Sequence, residues 1–251
     1  MLLPVGDDNR DRRVFPFINY LFIALNIFVF FYYQGCGLNE RFTFAYSAVP
    51  AEIITGKDIV TEDKVFEDPL TGDRLAIPGL QHTPIPVYLT LFTSMFMHGG
   101  LAHIFGNMLF LLIFGDNIEN RIGHTRYLIF YLLCGFIAAM AHVISTVIFN
   151  GDPFIPTLGA SGAISGVMGG YILLFPKRRV RVILFYFLTE VPAIVALGLW
   201  FAFQVINGIG ALGSESQEGG IAYAAHIGGF VAGLLLIKFF DTGRKHRYRV
   251  L

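Results

Sequence analysis

What this sequence has least of is charge. Only 14% of its 251 residues are Asp, Glu, Lys or Arg, against about a quarter in soluble domains, and that shortfall excludes an ordinary water-facing surface. The 18 basic and 18 acidic side chains cancel, so net charge names no partner and no nucleic acid is expected as one. Cysteine is also scarce. Cys36 follows the first apolar stretch and Cys134 lies inside a later one, so the two fall at different depths, cannot build a disulfide framework and are read as structural.

Apolar and small residues are abundant instead. With 55% hydrophobic residues, 26 Phe and 28 Gly, there is bulk to face lipid and there are small positions where helices can approach closely. Apolar segments lie near 15–34, 102–116, 125–149, 160–175, 191–208 and 221–240, and about 20 helical residues cross a hydrocarbon core. Six spans are therefore expected. The second and fourth are short and polar at one end, which suits helices bordering a wet cavity. Arg10, Arg12 and Arg13 precede the first stretch as in a secretory leader, but that stretch is too long and stays bulky to its end, so it is expected to be retained as a span.

Lys and Arg set the orientation. Arg10, Arg12, Arg13, Arg121, Arg126, Lys177, Arg178, Arg179, Arg181, Lys238 and the basic residues after it fall on one side, whereas the other has only Arg41, Lys57, Lys64 and Arg74. Both termini are then cytoplasmic: residues 1–14 form a leading segment, 15–240 the membrane domain and 241–251 a basic tail. The first loop, roughly 35–100, is long. Its residues 50–82 are polar with turn signals at Gly56, Pro69, Gly72, Pro78 and Gly79, and Val87–Met97 is an apolar element for the outer interface. Val182–Leu188 is too short to cross, and Pro192 suits the first turn of the fifth helix. The glycine-rich stretch 207–220 is expected to cap a site. No repeat or second domain is visible.

Polar groups inside spans carry the chemistry. Ser161 stands in Gly159-Ala160-Ser161-Gly162 at the outer start of the fourth span, where a helix N-terminus directs N–H groups toward an anion. Alone, the motif is weak, and such a serine is more often a helix cap on a glycine-rich packing face. His226 stands in the sixth span, above Gly229 and Gly233 on one face, and Gly162, Gly166 and Gly169 make a matching stripe below Ser161. Packing the two stripes together brings the imidazole to the hydroxyl. His98, His103 and Asn107 cluster at the outer end of the second span, with His103 and Asn107 on one helix face, as donors for an oxyanion would be. His98, His103 and His226 could ligate a metal, but no cysteine or carboxylate completes the set in the outer halves of the spans, so no metal and no cofactor are expected.

The pattern His98-Gly-Gly-x-x-His103-x-x-x-Asn107, then Gly115-x-x-x-Glu119-x-Arg121-x-Gly123, Gly159-Ala-Ser161-Gly162-Ala163 and Ala225-His226-x-Gly-Gly229-x-x-x-Gly233 resembles the rhomboid proteases. The resemblance runs in order from about Phe92 to Leu236. It implies an all-α membrane protein, a six-transmembrane-helix rhomboid-like bundle with a long outer first loop, sited in a cell membrane and acting on transmembrane protein substrates within the lipid bilayer. It implies Ser161 as nucleophile, His226 as base, Asn107 and His103 at the oxyanion site, and Glu119 and Arg121 as a structural polar pair. The chain departs from the resemblance at Leu89-Thr90, where many relatives have Trp-Arg, and at Ser165, where some bacterial members stack an aromatic ring on the histidine. With no Asp or Glu placed to orient His226, the expected serine endopeptidase uses a dyad and an acyl-enzyme, and either another side chain orients the ring or it is held less firmly. A non-proteolytic quality-control or binding role and a transporter are the competing readings; the retained quartet of site residues disfavours the first, and the lack of matching interrupted helices disfavours the second.

Overall fold

The computed structural model describes residues 2–67, 74–212 and 223–241. Strand β1 (Leu2–Asp7) precedes helix α1 (Phe17–Phe28), which runs on as a π-helical turn over Val29–Tyr33. The first loop contains two short helices, α2 (Glu40–Ala45) and α3 (Pro50–Thr55), and a hairpin of β2 (Lys64–Glu67) and β3 (Arg74–Ile77). A short helix α4 (Thr90–Thr93), flanked by 3-10 turns, leads to α5 (Leu101–Ile122), α6 (His124–Ile148) and α7 (Ser161–Leu174). A second hairpin, β4 (Arg179–Leu184) and β5 (Phe187–Pro192), then joins α7 to α8 (Ala193–Leu212), and α9 (Tyr223–Phe240) follows.

Among the described residues, four helices are long and apolar enough to cross a membrane, covering Leu101–Ile122, His124–Ile148, Ala193–Gly210 and Tyr223–Phe240. Shorter apolar helices span Phe17–Tyr33, Val87–Phe96 and Ser161–Leu174. Their burial is inside out relative to a soluble bundle. On α1 the inward stripe is Asn19, Phe22, Asn26 and Phe30, whereas Leu21, Leu25, Phe28 and Tyr32 are exposed. On α9 Val231, Leu235 and Phe239 form an exposed stripe, while Ala225, Gly229, Ala232 and Gly233 are buried. An apolar outer face of this extent is stable only when lipid is the solvent, so the chain is a multi-pass membrane bundle.

Helix α7 is the exception, because Gly162 to Tyr171 are all buried. It packs among α5, α6 and α9. At 14 residues it is about 21 Å long, short of a hydrocarbon core of about 30 Å; walled by protein, it has no lipid thickness to match. Helix α5, the second expected span, runs past residue 116 to Ile122, because Asp116, Asn117 and Glu119 are buried among polar partners. Glu119 accepts the Ile18 and Asn19 amides at the start of α1, at 2.9 and 2.7 Å, and bonds His124. Arg121 instead makes a two-point bond to Asp241, at 3.0 and 2.8 Å. The expected polar pair is thus two separate ties, each to a different helix end.

The segment Val182–Leu188, which is too short to cross, belongs to a three-stranded antiparallel sheet ordered β1-β4-β5. Leu2 pairs with Leu184 and Asp7 with Val180, with an irregularity between Pro4 and Gly6. Where β1 meets the bundle, Asp7 Oδ2 accepts from Asn117 Nδ2 at 2.7 Å and from the Tyr171 hydroxyl at 2.6 Å. Arg178 joins Asn117 to Asp11 and stacks on Phe175. Burial pushes the Asp7 carboxyl up to about 7, against the Tyr171 hydrogen bond. The folded protein therefore holds a proton between about pH 4 and 7 that the unfolded chain has released. This contribution is full below the unfolded value of 3.8 and is lost as pH rises toward 7, at up to about 1.4 kcal/mol per pH unit. Melting temperatures at pH 5.5 and 7.5 should differ more for wild type than for Asp7→Asn; equal differences would remove Asp7 as the source.

The expected turns at Pro69 and Gly72, most of the glycine-rich stretch 207–220, and nearly all of the basic tail 241–251 lie outside the described residues.

Candidate active site

The segment that delivers Ser161 is clamped by the first loop. Ala48 and Thr157 exchange backbone hydrogen bonds of 3.0 and 2.8 Å, the Ala51 amide donates to Pro153, and the Gly159 amide donates to Ser94 at 2.9 Å. Residues Ala48 and Ala51 of the first loop thus acquire a structural role. Gly159 has φ +120°, and a Cβ there would come within 2.9 Å of the His103 ring, so both backbone and space demand glycine. Ser161 then begins α7 with no side-chain cap, which leaves first-turn N–H groups without helical acceptors.

Helix α9 lies against α7 at backbone distance. A Cβ on Gly229 would fall on the carbonyl oxygen of Gly162, and one on Gly233 on that of Gly166. Side chains at both positions are excluded, and this closeness carries His226 to the serine: Nε2 lies 2.8 Å from Ser161 Oγ. The other ring nitrogen, Nδ1, lies 2.8 Å from Gln204 Oε1 on α8. Trp200, one turn earlier on α8, lies beside the imidazole with ring centroids 6.0 Å apart. Ser165 does not reach the ring; its hydroxyl donates to the Ser161 carbonyl at 2.6 Å.

Helix α5 supplies the opposite wall. His103 Nδ1 accepts the Gly99 amide at 3.3 Å, which leaves Nε2 as the nitrogen that carries hydrogen. Asn107, one turn on, is buried, and its Nδ2 has no hydrogen-bond partner among the described residues. A buried amide without an acceptor costs about 1–3 kcal/mol, so its retention suits a group that meets an anion during reaction. His98 is wholly buried behind His103, with ring centroids 5.1 Å apart. Gln34 grips its backbone, accepting from the His98 amide and donating to its carbonyl, each at 2.9 Å.

Ser161, His226, Asn107 and His103 line one cavity of about 460 Å³, together with Gln204 and Trp200. Phe110 and Met168 add to an apolar wall. Glu119 and Arg121 do not line it and sit at the other end of α5. Among the described residues no group of three or more His, Cys, Asp or Glu could hold a metal ion. Gln204 and Trp200 escaped the sequence reading; the available signal was an amide one turn after the single Trp of the chain, inside an otherwise apolar span.

Residues 86–241, more than half of the chain, match the rhomboid domain. The chain is 30% identical over 156 residues to rhomboid protein 1, mitochondrial, of Saccharomyces cerevisiae, covering 62% of this chain and 43% of that protein. It is 27% identical over 220 residues to the rhomboid protease GluP of Bacillus subtilis, covering 87% and 34%. It is 32% identical over 146 residues to RHOMBOID-like protein 4 of Arabidopsis thaliana, covering 58% and 32%. The chain therefore spans from about a third to less than half of the length of these relatives.

Proposed function

The chain belongs to the rhomboid family, and from that membership and the Ser161–His226 hydrogen bond we propose that it is an intramembrane serine endopeptidase cleaving transmembrane protein substrates. The 2.8 Å contact between Oγ and Nε2 carries the reading, because a lone hydroxyl is a poor nucleophile until a base can take its proton. Ser161 Oγ attacks the scissile carbonyl as His226 Nε2 accepts the proton; the C–N bond then breaks, and His226 returns that proton to the leaving amine. Water repeats the sequence on the acyl-enzyme. The oxyanion is met by Asn107 Nδ2, His103 Nε2–H and the Ser161 backbone N–H.

The apolar outer faces support a bilayer setting for this chemistry, where a helical substrate hides its carbonyls in its own hydrogen bonds. Segments that unwind easily should be preferred. Six spans, formed by Phe17–Tyr33, α5, α6, α7, α8 and α9, with both termini cytoplasmic and the Ser161 end of α7 toward the outer face, fit the distribution of Lys and Arg.

A serine-directed fluorophosphonate provides the test. Purified protein in detergent should be modified once, on the peptide that contains Ser161, and should lose cleavage of a transmembrane reporter in step. Protein that cleaves no reporter and takes up no label at Ser161 would be a binding or quality-control member of the family instead.

A further inference from the structure

A serine–histidine pair leaves one matter open: which ring nitrogen carries the hydrogen. For Ser161 to lose its proton, Nε2 must be bare, so the hydrogen must reside on Nδ1. An Nδ1–H buried away from water needs its own acceptor, or the ring gains by turning over or changing tautomer. We infer that Gln204 is the positioning residue that fixes His226 as the Nδ1–H tautomer, a third member of the catalytic group that bears no charge.

The inference rests on the protease reading above and on four observations. Gln204 Oε1 is 2.8 Å from His226 Nδ1, on the side of the ring opposite Ser161. Gln204 is only 6% exposed and lies on a helix whose neighbouring residues are apolar, where a polar side chain is costly unless it has a task. Trp200 lies beside the same ring, with centroids 6.0 Å apart and the planes 40° from parallel. Among the described residues, the other ionisable groups acting on His226 are the imidazoles of His103 on α5 and His142 on α6, neither of which supplies negative charge. The amide oxygen is thus the acceptor that orients the base. A carboxylate in its place would stabilise the imidazolium more strongly, but it would have to remain ionised beside lipid. An amide gives direction without that cost, and leaves His226 less basic than a carboxylate-backed histidine.

Three full-length proteins in detergent decide it: wild type, Gln204→Met and Gln204→Glu, with kcat and KM for a transmembrane reporter measured across pH. Gln204→Met has nearly the same volume but no acceptor. It should lower kcat about 10- to 100-fold, a part of the 10²–10⁴ that a general base contributes, with KM nearly unchanged. Gln204→Glu should recover kcat at high pH. A carboxylate beside Nδ1 favours the protonated ring, so the acid limb of kcat/KM should move to higher pH. ¹⁵N spectra of histidine-labelled wild type should show the His226 proton on Nδ1. Wild-type kcat and profile in Gln204→Met, or a proton on Nε2, would overturn the inference. If Gln204→Met does not fold, an unmoved acid limb in Gln204→Glu overturns it equally. A wild type that neither cleaves nor takes label at Ser161 is a different result, since it removes the protease reading beneath.

Discussion

Ser161→Ala is expected to abolish cleavage while leaving the protein as stable as wild type. The hydroxyl supplies the atom that attacks the scissile carbonyl in the proposed reaction, and removing such a nucleophile costs at least about 10⁴-fold in turnover. Structurally it is one oxygen on a cavity wall, hydrogen-bonded to His226. Losing it opens no apolar void, so the change in stability should stay within about 1 kcal/mol. Reporter cleavage and melting temperature on the same preparation check both halves. Residual turnover above about a hundredth of wild type would mean that another group attacks the carbonyl.

Gly233→Leu is expected to lose both activity and fold. A Cβ at Gly233 would fall on the backbone carbonyl of Gly166, with the Gly166 Cα only 2.8 Å away. Backbone cannot rotate aside as a side chain can, so α7 and α9 must separate. Overpacking of an ordinary core costs about 1–3 kcal/mol, and a rigid obstacle should exceed that. Because His226 is two turns up the same helix, the separation also withdraws Nε2 from Ser161. Gly198→Leu on α8 is the control: among the described residues nothing lies within 4 Å of a Cβ built there, and leucine is the better helix former, so melting should be no lower. If Gly233→Leu melted with wild type, the α7–α9 contact described here would be wrong.

These two glycines show why the same residue type can be legible at one position and silent at another. Gly229 and Gly233 announce themselves because they lie at helical spacing below an ionisable residue in an apolar span, a combination that periodicity alone detects. His103 and Asn107 are legible for the same reason, four apart on one face. Gln204 was not: a single amide in a hydrophobic run has no partner in sequence, and its meaning arises only when α8 leans against α9. Strand β1 was missed because Leu2–Asp7, with Pro4 and Gly6, has little strand pattern of its own and takes its hydrogen bonds from β4 far along the chain. Glu119 and Arg121 were found, but not their separate partners at Asn19 and Asp241, which local spacing cannot supply.

The position of β1 also sets a schedule. The Asp7 carboxyl is held by Tyr171, 164 residues later in the chain, and its strand pairs with β4, which is made later still. At roughly 5–20 residues per second, synthesis reaches Tyr171 about 8–33 s after Asp7. For that interval β1 has neither its strand neighbour nor the tyrosine. Helices α1, α5 and α6 are therefore synthesised before β1 can pair. The clasp fastens the far end of the same short helix that presents Ser161, so the segment made before α1 comes to hold the helix that carries the nucleophile.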